Sequence, residues 1–478
     1  MLVEWSLDER FARTSRVRGP QALEDSDFTA RVDLEGLPRG TEVFVRVLFE
    51  ADNARSEPLI ARFRTPAAGQ SNVRFVWSGD TVGQGWGIDP NFGGMKIYEA
   101  MRQTHPHFFI HSGDTIYADG PLHESVTNAA GETIWRNAHL DAVPEKRRVA
   151  QTLHEFRRHQ LYNRYDVNNR RFSAEVPQIW QWDDHEVVNN WSGDKILDER
   201  YAERDVRVLA NRAQRAFLEY SPLRWRANAP ESAPENAPET AQDQLIYRHL
   251  PYNTDLDVFV IDMRSFRGPN SYNRQEAESD ATVFLGRQQL SWLKDKLRRS
   301  TATWKIIAAD MPIGLLVPDG RDAQGRAKYE AVGNGDGPVL GREFEIAGLL
   351  RFLKRESIAN VVWLTADVHY CAAHYYDPGK AQFQDFDPFW EFVAGPMHAG
   401  SFGPNSLDNT FGPQLVFQKA PPVQNIPPNG GFQFFGQVDI DHQSKDLTVA
   451  LKDSDGVTVF SKRLSVGSST IRADSVAR

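Results

Sequence analysis

The sequence contains a single cysteine, Cys371, among its 478 residues. One cysteine excludes an intramolecular disulfide, so the fold depends on no covalent cross-link of that kind. It does not identify the compartment, because exported proteins can also lack disulfides.

Long apolar runs are missing as well. No stretch of about eighteen apolar residues could cross a bilayer as a helix. The first residues, MLVEWSLDERFARTSR, lack the apolar region of a signal peptide. We therefore expect a chain that neither spans a membrane nor carries its own export signal. Its sequence favours the cytoplasm, or the periplasm or exterior if a signal has been removed.

An excess of positive charge is also absent. The 55 Lys and Arg residues are outnumbered by 64 Asp and Glu residues, which gives a formal net charge of −9. Nucleic-acid surfaces need clustered Lys and Arg, so none is expected. An acidic protein can still hold an anionic substrate where metal ions supply positive charge. The composition does not indicate an oligomeric state.

Three regions differ in their hydrophobic pattern. Residues 1–68 alternate polar and apolar side chains between turn residues, which predicts a β-sandwich domain. Residues 72–429 form the predicted main domain, in which the Ala-Pro-rich insertion 226–244 is expected to be solvent-exposed and without a catalytic role. Residues 402–429 suggest a long ordered loop. Residues 430–466 alternate again and predict terminal strands that complete the main domain.

Apolar runs that end at an aspartate recur through the main domain. Such runs predict strands buried on both faces, as in an α/β sheet covered by helices. The aspartates at their ends are Asp80, Asp114, Asp183-Asp184, Asp262, Asp310 and Asp367. Helical patterns between the strands cover 94–104, 146–163, 199–220, 286–299 and 342–355.

The strand-end aspartates also predict chemistry. Open α/β sheets bind ligands beyond one strand end. Carboxylates and imidazoles gathered there would be too costly to bury unless cations neutralised them. The pattern therefore predicts a centre with more than one metal ion.

The most informative stretch is HFFIHSGDTIY, residues 107–117. Its apolar run breaks at Ser112-Gly113, and glycine permits tight backbone geometry at a strand end. Asp114 supplies an anionic oxygen that can bridge two cations. Tyr117, three residues later, can bind as a phenolate, which suggests iron(III).

Several motifs carry a family resemblance when they are taken in order. They are SGD at Asp80, GDTIY at Asp114 and Tyr117, WDDHE at residues 182–186 followed by Asn189-Asn190, LGRQQL from Leu285, and ADVHY with Asp367 and His369. Together they resemble the PhoD-like alkaline phosphatase and phosphodiesterase family, a branch of the calcineurin-like metallophosphoesterases. The resemblance covers almost the whole chain, and the ordered combination is much more specific than GD-x-x-Y alone.

The resemblance implies a fold and an activity. The fold would be a four-layer α/β/β/α sandwich with an N-terminal fibronectin-like β-sandwich domain. The activity would be metal-dependent hydrolysis of phosphoesters by a metal-activated hydroxide. The substrate would be a small phosphate ester or a phospholipid headgroup. Phospholipase D-like or phosphotriester hydrolysis on the same scaffold is one alternative, and a non-catalytic protein stabilised by metal is another.

The resemblance also implies roles for individual residues. Asp114 would bridge the two metals, and Asp80, Tyr117 and His369 would complete the iron(III) site. Asp184 and Asp367 would hold a second ion, calcium, with a carbonyl from Asn189 or Asn190. His185 would stabilise or protonate the reacting phosphate oxygen.

One departure from the family pattern concerns the first strand. Familiar members provide a cysteine ligand to iron there, whereas VWSGD offers Asp80. Zinc, manganese or magnesium are therefore alternatives to iron and calcium. Cys371 follows His369 by two residues, but a buried structural thiol is the better interpretation.

Some residues have two interpretations at this stage. Arg264 could clamp the phosphate or form an internal salt bridge. Asp310 could be a ligand but is more typical of a capping or hydrogen-bonding aspartate. Three histidines are more simply interpreted as core residues or as residues behind the ligands: His111, His374 and His398. Core packing explains most of the tryptophans near the motifs, and one or two could line the substrate pocket: Trp77, Trp86, Trp180, Trp182 and Trp191.

Overall fold

The computed structural model describes residues 1–51, 54–67, 69, 71–223 and 246–466. The predicted insertion at 226–244 lies outside these residues. The strands are β1 (Leu2–Ser6), β2 (Ser15–Arg18), β3 (Glu42–Leu48), β4 (Glu50–Ala51), β5 (Ala54–Arg55), β6 (Leu59–Arg64), β7 (Val73–Ser78), β8 (Phe108–Ser112), β9 (Ser125–Thr127), β10 (Thr133–Arg136), β11 (Gln178–Gln181), β12 (Arg248–Pro251), β13 (Leu256–Val260), β14 (Trp304–Ala308), β15 (Pro318–Arg321), β16 (Ala327–Tyr329), β17 (Val361–Thr365), β18 (Cys371–Tyr376), β19 (Phe389–Val393), β20 (Pro413–Lys419), β21 (Phe434–Ile440), β22 (Leu447–Asp453) and β23 (Thr458–Leu464). The helices are α1 (Ile97–Gln103), α2 (Leu153–Asn163), α3 (Val167–Glu175), α4 (Val206–Tyr220), α5 (Arg287–Arg299) and α6 (Glu343–Arg355).

Two large sheets form the main domain. The first has the strand order β11-β8-β7-β21-β22-β23, and the second has the order β12-β13-β14-β17-β19-β18-β20. Strands β11, β8 and β7 run parallel, as do β13, β14, β17 and β19. Both sheets therefore bring several strand ends, and the residues that follow them, to one edge.

Alternate side chains of the strands pack in opposite directions. Trp77 of the first sheet and Val258 of the second belong to one core cluster between the sheets. On the outer side of the second sheet, Ile307 packs with α5 and α6. On the outer side of the first, Phe109 packs with α1 and α3. Helices thus cover the outer faces and leave the site at a strand edge.

Local sequence signals explain where several helices begin. Thr152 and Glu155 form a capping box at α2, and Asp166 caps α3 by accepting two backbone N–H bonds. Asp205 caps α4 in the same way. Each carboxylate or hydroxyl satisfies N–H groups that have no partner inside the helix.

The C-terminal strands complete the first sheet, because β21 pairs with β7. Gly436 of β21 lies opposite Trp77, and a Cβ at this glycine would lie 2.0 Å from the indole ring. The glycine therefore makes room for the tryptophan that fills the space between the sheets.

The structure differs from the sequence-based expectation in three places. The N-terminal region has one four-stranded sheet, β2-β1-β3-β6, and apolar residues of the irregular segment 32–37 pack on its core in place of a second large sheet. Segment 402–429 contains a strand, β20, which pairs with β18. Helix α3 was not predicted, because its sequence VNNRRFSAE has only a weak apolar periodicity.

No helix of the described residues is long and apolar enough to cross a membrane.

Candidate metal centre

Several of the predicted site residues lie close together. Two groups of side chains each place their ligand atoms within 4.8 Å of one another: Asp80, Asp114 and His369, and Asp114, Asp184 and His185. Asp114 belongs to both groups. A carboxylate shared in this way has the arrangement that a bridging ligand requires.

One carboxylate of the centre, Asp80, lacks the hydrogen-bond partners that a buried charge needs. Neither carboxylate oxygen of Asp80 has a hydrogen-bond partner among the described residues, although both are buried. Burial and the neighbouring Asp183 raise the pKa of Asp80 well above its usual value. Burial and the neighbouring Asp184 do the same for the pKa of Asp114. Hard oxygen donors with unpaired charge fit bound cations, which would supply the missing compensation.

The backbone turns sharply at the ligand candidates. The φ angles are 69° at Asp80, 51° at Asp114, 64° at Asp367 and 60° at His369. Non-glycine residues rarely adopt this left-handed conformation, which costs about 1–2 kcal/mol per residue. Such geometry persists where the surrounding structure holds it, and it clusters at functional sites.

Tyr117 and His369 face each other beside Asp80. The Tyr117 hydroxyl lies 2.8 Å from His369 Nε2, and His369 Nδ1 hydrogen-bonds to the Gly400 carbonyl. Because Nδ1 must donate to that carbonyl, Nε2 keeps a lone pair for a metal. A Cβ at Gly83 would lie 2.6 Å from the Tyr117 ring. The backbone at Gly83 therefore packs closely against the Tyr117 ring and fixes the orientation of that ring.

Protonation of these two side chains follows from their burial. Burial lowers the pKa of His369 to about 4, so the imidazole is neutral and able to act as a ligand. Burial and the negative charges of Asp114 and Asp80 raise the pKa of Tyr117 well above its usual value. A phenolate at this position therefore requires a strongly charged cation.

His185 is held by a residue that sequence analysis missed, Asp119. His185 Nδ1 lies 2.7 Å from Asp119 Oδ1, and the rings of His185 and Tyr117 are 4.2 Å apart. Burial opposes the charged form of His185, but Asp119 and Asp184 outweigh it and raise the pKa to about 10. Asp119 does not end an apolar run, so the pattern that predicted the other aspartates of the site did not indicate it. Its place in TIYADG, two residues after Tyr117, is the only signal available.

Comparison with known proteins identifies the family of the chain. The profile of the PhoD-like phosphatase family matches residues 75–451, and that of the PhoD-like phosphatase N-terminal domain matches residues 1–67. The chain belongs to the PhoD-like phosphatase family. Alkaline phosphatase D of Bacillus subtilis (strain 168) is 24% identical over 434 residues, which are 88% of this chain and 67% of that protein. A solved structure of PhoD superposes with a TM-score of 0.69 at 19% identity, covering 100% of this chain and 85% of the other.

Membership of the PhoD-like phosphatases identifies the chain as a metal-dependent phosphoester hydrolase. The mixed α/β fold agrees with the solved PhoD structure. Phospholipase D-like or phosphotriester activity is not favoured.

Asn189 and Asn190, the two alternatives for the second ion, differ in exposure and in their hydrogen bonds. The Asn189 side chain is exposed, and its backbone N–H donates to Asp119 Oδ2 at 2.9 Å. Asn190 has a positive φ of 53°, and its backbone N–H donates to Asp184. Of the two alternatives, Asn190 is the one directly joined to a candidate ligand.

Arg264 forms the internal salt bridge rather than an open phosphate clamp. Its guanidinium is fully buried and pairs with Asp183 and Glu330, and it lies 3.3 Å from Asp310 and 3.6 Å from Asp367. Burial disfavours its charge, yet Asp183 and Glu330 raise the pKa of Arg264 well above its usual value. These ion pairs agree with the second of its two interpretations, the internal salt bridge. Arg264 compensates several buried carboxylates, including candidate ligand Asp367.

Glu186 is another residue that sequence analysis left without a role. Its carboxylate accepts bonds from the backbone N–H groups of Thr115 at 2.6 Å, Asp183 at 2.9 Å and Asp114 at 3.3 Å. These bonds tie the loop after β8 to the loop after β11. Glu186 therefore fixes how Asp114 approaches Asp184.

The remaining candidates have structural positions. Asp262 accepts bonds from the Trp182 indole N–H at 3.1 Å and from two backbone N–H groups in its own turn. Cys371 lies in the core cluster between the sheets, where burial raises the pKa of its thiol. Partners other than the centre engage His111 (Thr81), His374 (Glu391) and His398 (the Gly87 carbonyl).

The buried position of Arg264 gives a prediction about stability. Arg264→Met should lower the free energy of unfolding by about 3–5 kcal/mol, because several buried carboxylates lose their compensating charge. Urea denaturation measures the change. Arg299→Met is the matched control: Arg299 pairs with Asp295 on the surface, and its loss should cost about 0–1 kcal/mol. An Arg264→Met variant as stable as this control, with only a raised KM, would restore the phosphate-clamp interpretation.

Proposed function

We propose that this chain hydrolyses phosphate esters at a two-metal centre bridged by Asp114. The observation that carries the proposal is that Asp114 belongs to both candidate ligand groups. We assign Asp80, Tyr117 and His369 to the first ion. We assign Asp184, Asp367 and an asparagine to the second, and the contact between Asn190 and Asp184 favours Asn190 over Asn189.

The donor atoms support iron(III) at the first position and calcium at the second. A phenolate with a carboxylate and an imidazole suits iron(III), and a set of oxygen donors alone suits calcium. Zinc, manganese and magnesium are the alternatives. The absence of a cysteine ligand distinguishes this first site from that of familiar relatives. When bound, the two cations polarise the phosphoryl group and lower the pKa of water to give a nucleophile near neutral pH.

The chain's own residues supply orientation and a proton. We propose that His185, held by Asp119, donates from Nε2 to the oxygen of the leaving alcohol or to a phosphoryl oxygen. Asp119 keeps the proton on Nδ1 and favours the charged imidazolium. Neighbouring cations would lower the pKa of His185 from its raised value toward the working range of an acid.

We also propose that these loops stand on a four-layer α/β/β/α sandwich. The shared core between the two sheets and the helix packing on their outer sides support that arrangement. Parallel strands from both layers then aim their following loops at one centre. The substrate is a phosphate ester, either a small molecule or a phospholipid headgroup.

Metal removal tests the centre as a whole. Strong chelation should abolish phosphoester hydrolysis, and calcium with iron should restore it. Asp114→Asn should lose metal and activity together, because a neutral amide cannot balance two cations. Asp262→Asn, the same change at another strand end, should retain both. Metal analysis with a p-nitrophenyl phosphate assay makes the comparison. Full turnover by demetallated protein would reject a metal-dependent reaction here.

Variants of the histidine and its partner separate chemistry from metal binding. His185→Ala should retain both metals and lose about 10²–10⁴-fold in kcat, the range for a general acid or oxyanion stabiliser. Asp119→Asn should lose less, since the imidazole remains, and should shift the pH profile of kcat to lower pH. The direction of this shift follows from the charge of Asp119: the charge raises the pKa of His185, so removing it lowers that pKa. If His185→Ala loses metal, His185 is a ligand.

The phenol tests the identity of the first ion. Tyrosinate bound to iron(III) gives a visible charge-transfer band, whereas zinc, calcium or magnesium gives none. Protein isolated in air should be coloured, and Tyr117→Phe should abolish the band with partial loss of activity, because Asp80, Asp114 and His369 still hold the ion. Absorption spectra and iron analysis provide the measurement. A colourless, fully active protein with stoichiometric non-iron metals would reject iron at this position.

A further inference from the structure

Two lysines are connected through Asp319 to Asn190, a candidate ligand of the second ion. Lys195 follows Asn190 by five residues, and Lys328 belongs to β16. Both pair with Asp319 of β15: the Lys195 ammonium lies 3.6 Å from Oδ1, and the Lys328 ammonium lies 3.3 Å from Oδ2. We call Lys195 and Lys328 the lysine pair.

Hydrogen bonds connect the lysine pair to the centre. Asn190 Nδ2 donates to Asp319 Oδ1 at 3.1 Å, while its backbone N–H donates to Asp184. Asn270 Nδ2 donates to the Asn190 carbonyl at 2.9 Å and to Asp319 Oδ2 at 3.0 Å. One residue, Asn190, thus separates the aspartate that holds the lysines from a candidate metal ligand. The β15–β16 hairpin is fixed against the site at this point.

The charges of this group do not cancel. One carboxylate faces two ammonium groups, and within the part of the chain that the structure describes neither lysine pairs with a second acidic side chain. The lysine side chains are 23% and 28% exposed, whereas Asp319 is 11% exposed. Each ammonium has three donors, so donors remain free toward solvent. The group offers a fixed site of net positive charge.

The hydrogen bonds and ion pairs place both ammonium groups one aspartate away from Asn190, whose backbone N–H meets Asp184. Positive charge at that position attracts an anion that enters the same cleft.

We propose that the lysine pair binds a second anionic group on the alcohol portion of the substrate, so that this enzyme prefers phosphate esters whose leaving alcohol carries a carboxylate or another phosphate. The inference rests on the proposed function, because it assumes that the reacting phosphoryl group lies at the Asp114 centre. Asp319 holds the two ammonium groups in place, and Asn270 and Asn190 set their distance from that centre.

Binding of phosphonates tests the preference without turnover, since their C–P bond is not hydrolysed. Calorimetry of the metal-loaded wild type should give tighter binding of 3- or 4-carboxyphenylphosphonate than of phenylphosphonate, by about five- to twentyfold. The Lys195→Met/Lys328→Met variant should lose this ratio, and the Lys195→Arg/Lys328→Arg variant should retain most of it. Lys354→Met is the control. Lys354 lies on the exposed side of α6 and pairs with Asp385, so this substitution should leave the binding ratio unchanged.

The hydrolysis of the corresponding phenyl phosphates provides the second measurement. The ratio of kcat/KM for the carboxylated and plain esters should fall in the double Met variant by the same factor as the binding ratio. Equal binding of the two phosphonates by the wild type, or an unchanged ratio in the double Met variant, would overturn the inference. Preferential binding with no hydrolysis of any ester would support the lysine pair and reject the proposed function instead.

Discussion

The concentration of buried negative charge at one sheet edge governs the rest of the structure. Carboxylates after several strands are buried within a few ångströms of one another, and they cannot all remain charged without compensation. Two kinds of compensation are arranged in layers. Arg264 pairs with Asp183 and also lies 3.6 Å from candidate ligand Asp367. Among the described residues, both oxygens of Asp80 lack a hydrogen-bond partner, and Asp114 accepts a bond from the His185 backbone N–H. The charge that remains on Asp80 and Asp114 is what bound cations would balance.

Backbone geometry holds the candidate ligands in position. Left-handed conformations at Asp80, Asp114 and His369 aim side chains inward, and Glu186 binds the backbone of two loops at once. The same device recurs on the outer side of the centre, where Asn190 joins Asp184 to the β15–β16 hairpin. The proposed metal ligands, proton donor and substrate contacts therefore belong to one hydrogen-bonded framework.

The sequence predicted the parts that depend on local pattern. Apolar runs ending in aspartate identified the strands and placed Asp114 and Asp184 at one edge. It could not identify Asp119 or Glu330, because their partners His185 and Arg264 lie 66 residues away in each case and only tertiary packing brings them together. The hydrogen bond from the Asn190 backbone to Asp184, on which our preference for Asn190 over Asn189 rests, also had no local signal in the sequence. The buried environment of Arg264 likewise had no local signal.

The central claim is that one carboxylate, Asp114, is shared by two metal ions. A crystal structure of protein isolated in air, with anomalous scattering measured on both sides of the iron edge, tests it most directly. The account predicts two ions per chain, both bound to the Asp114 carboxylate, with the iron signal on the side of Tyr117 and His369. A single ion, or two ions that do not share Asp114, would contradict it.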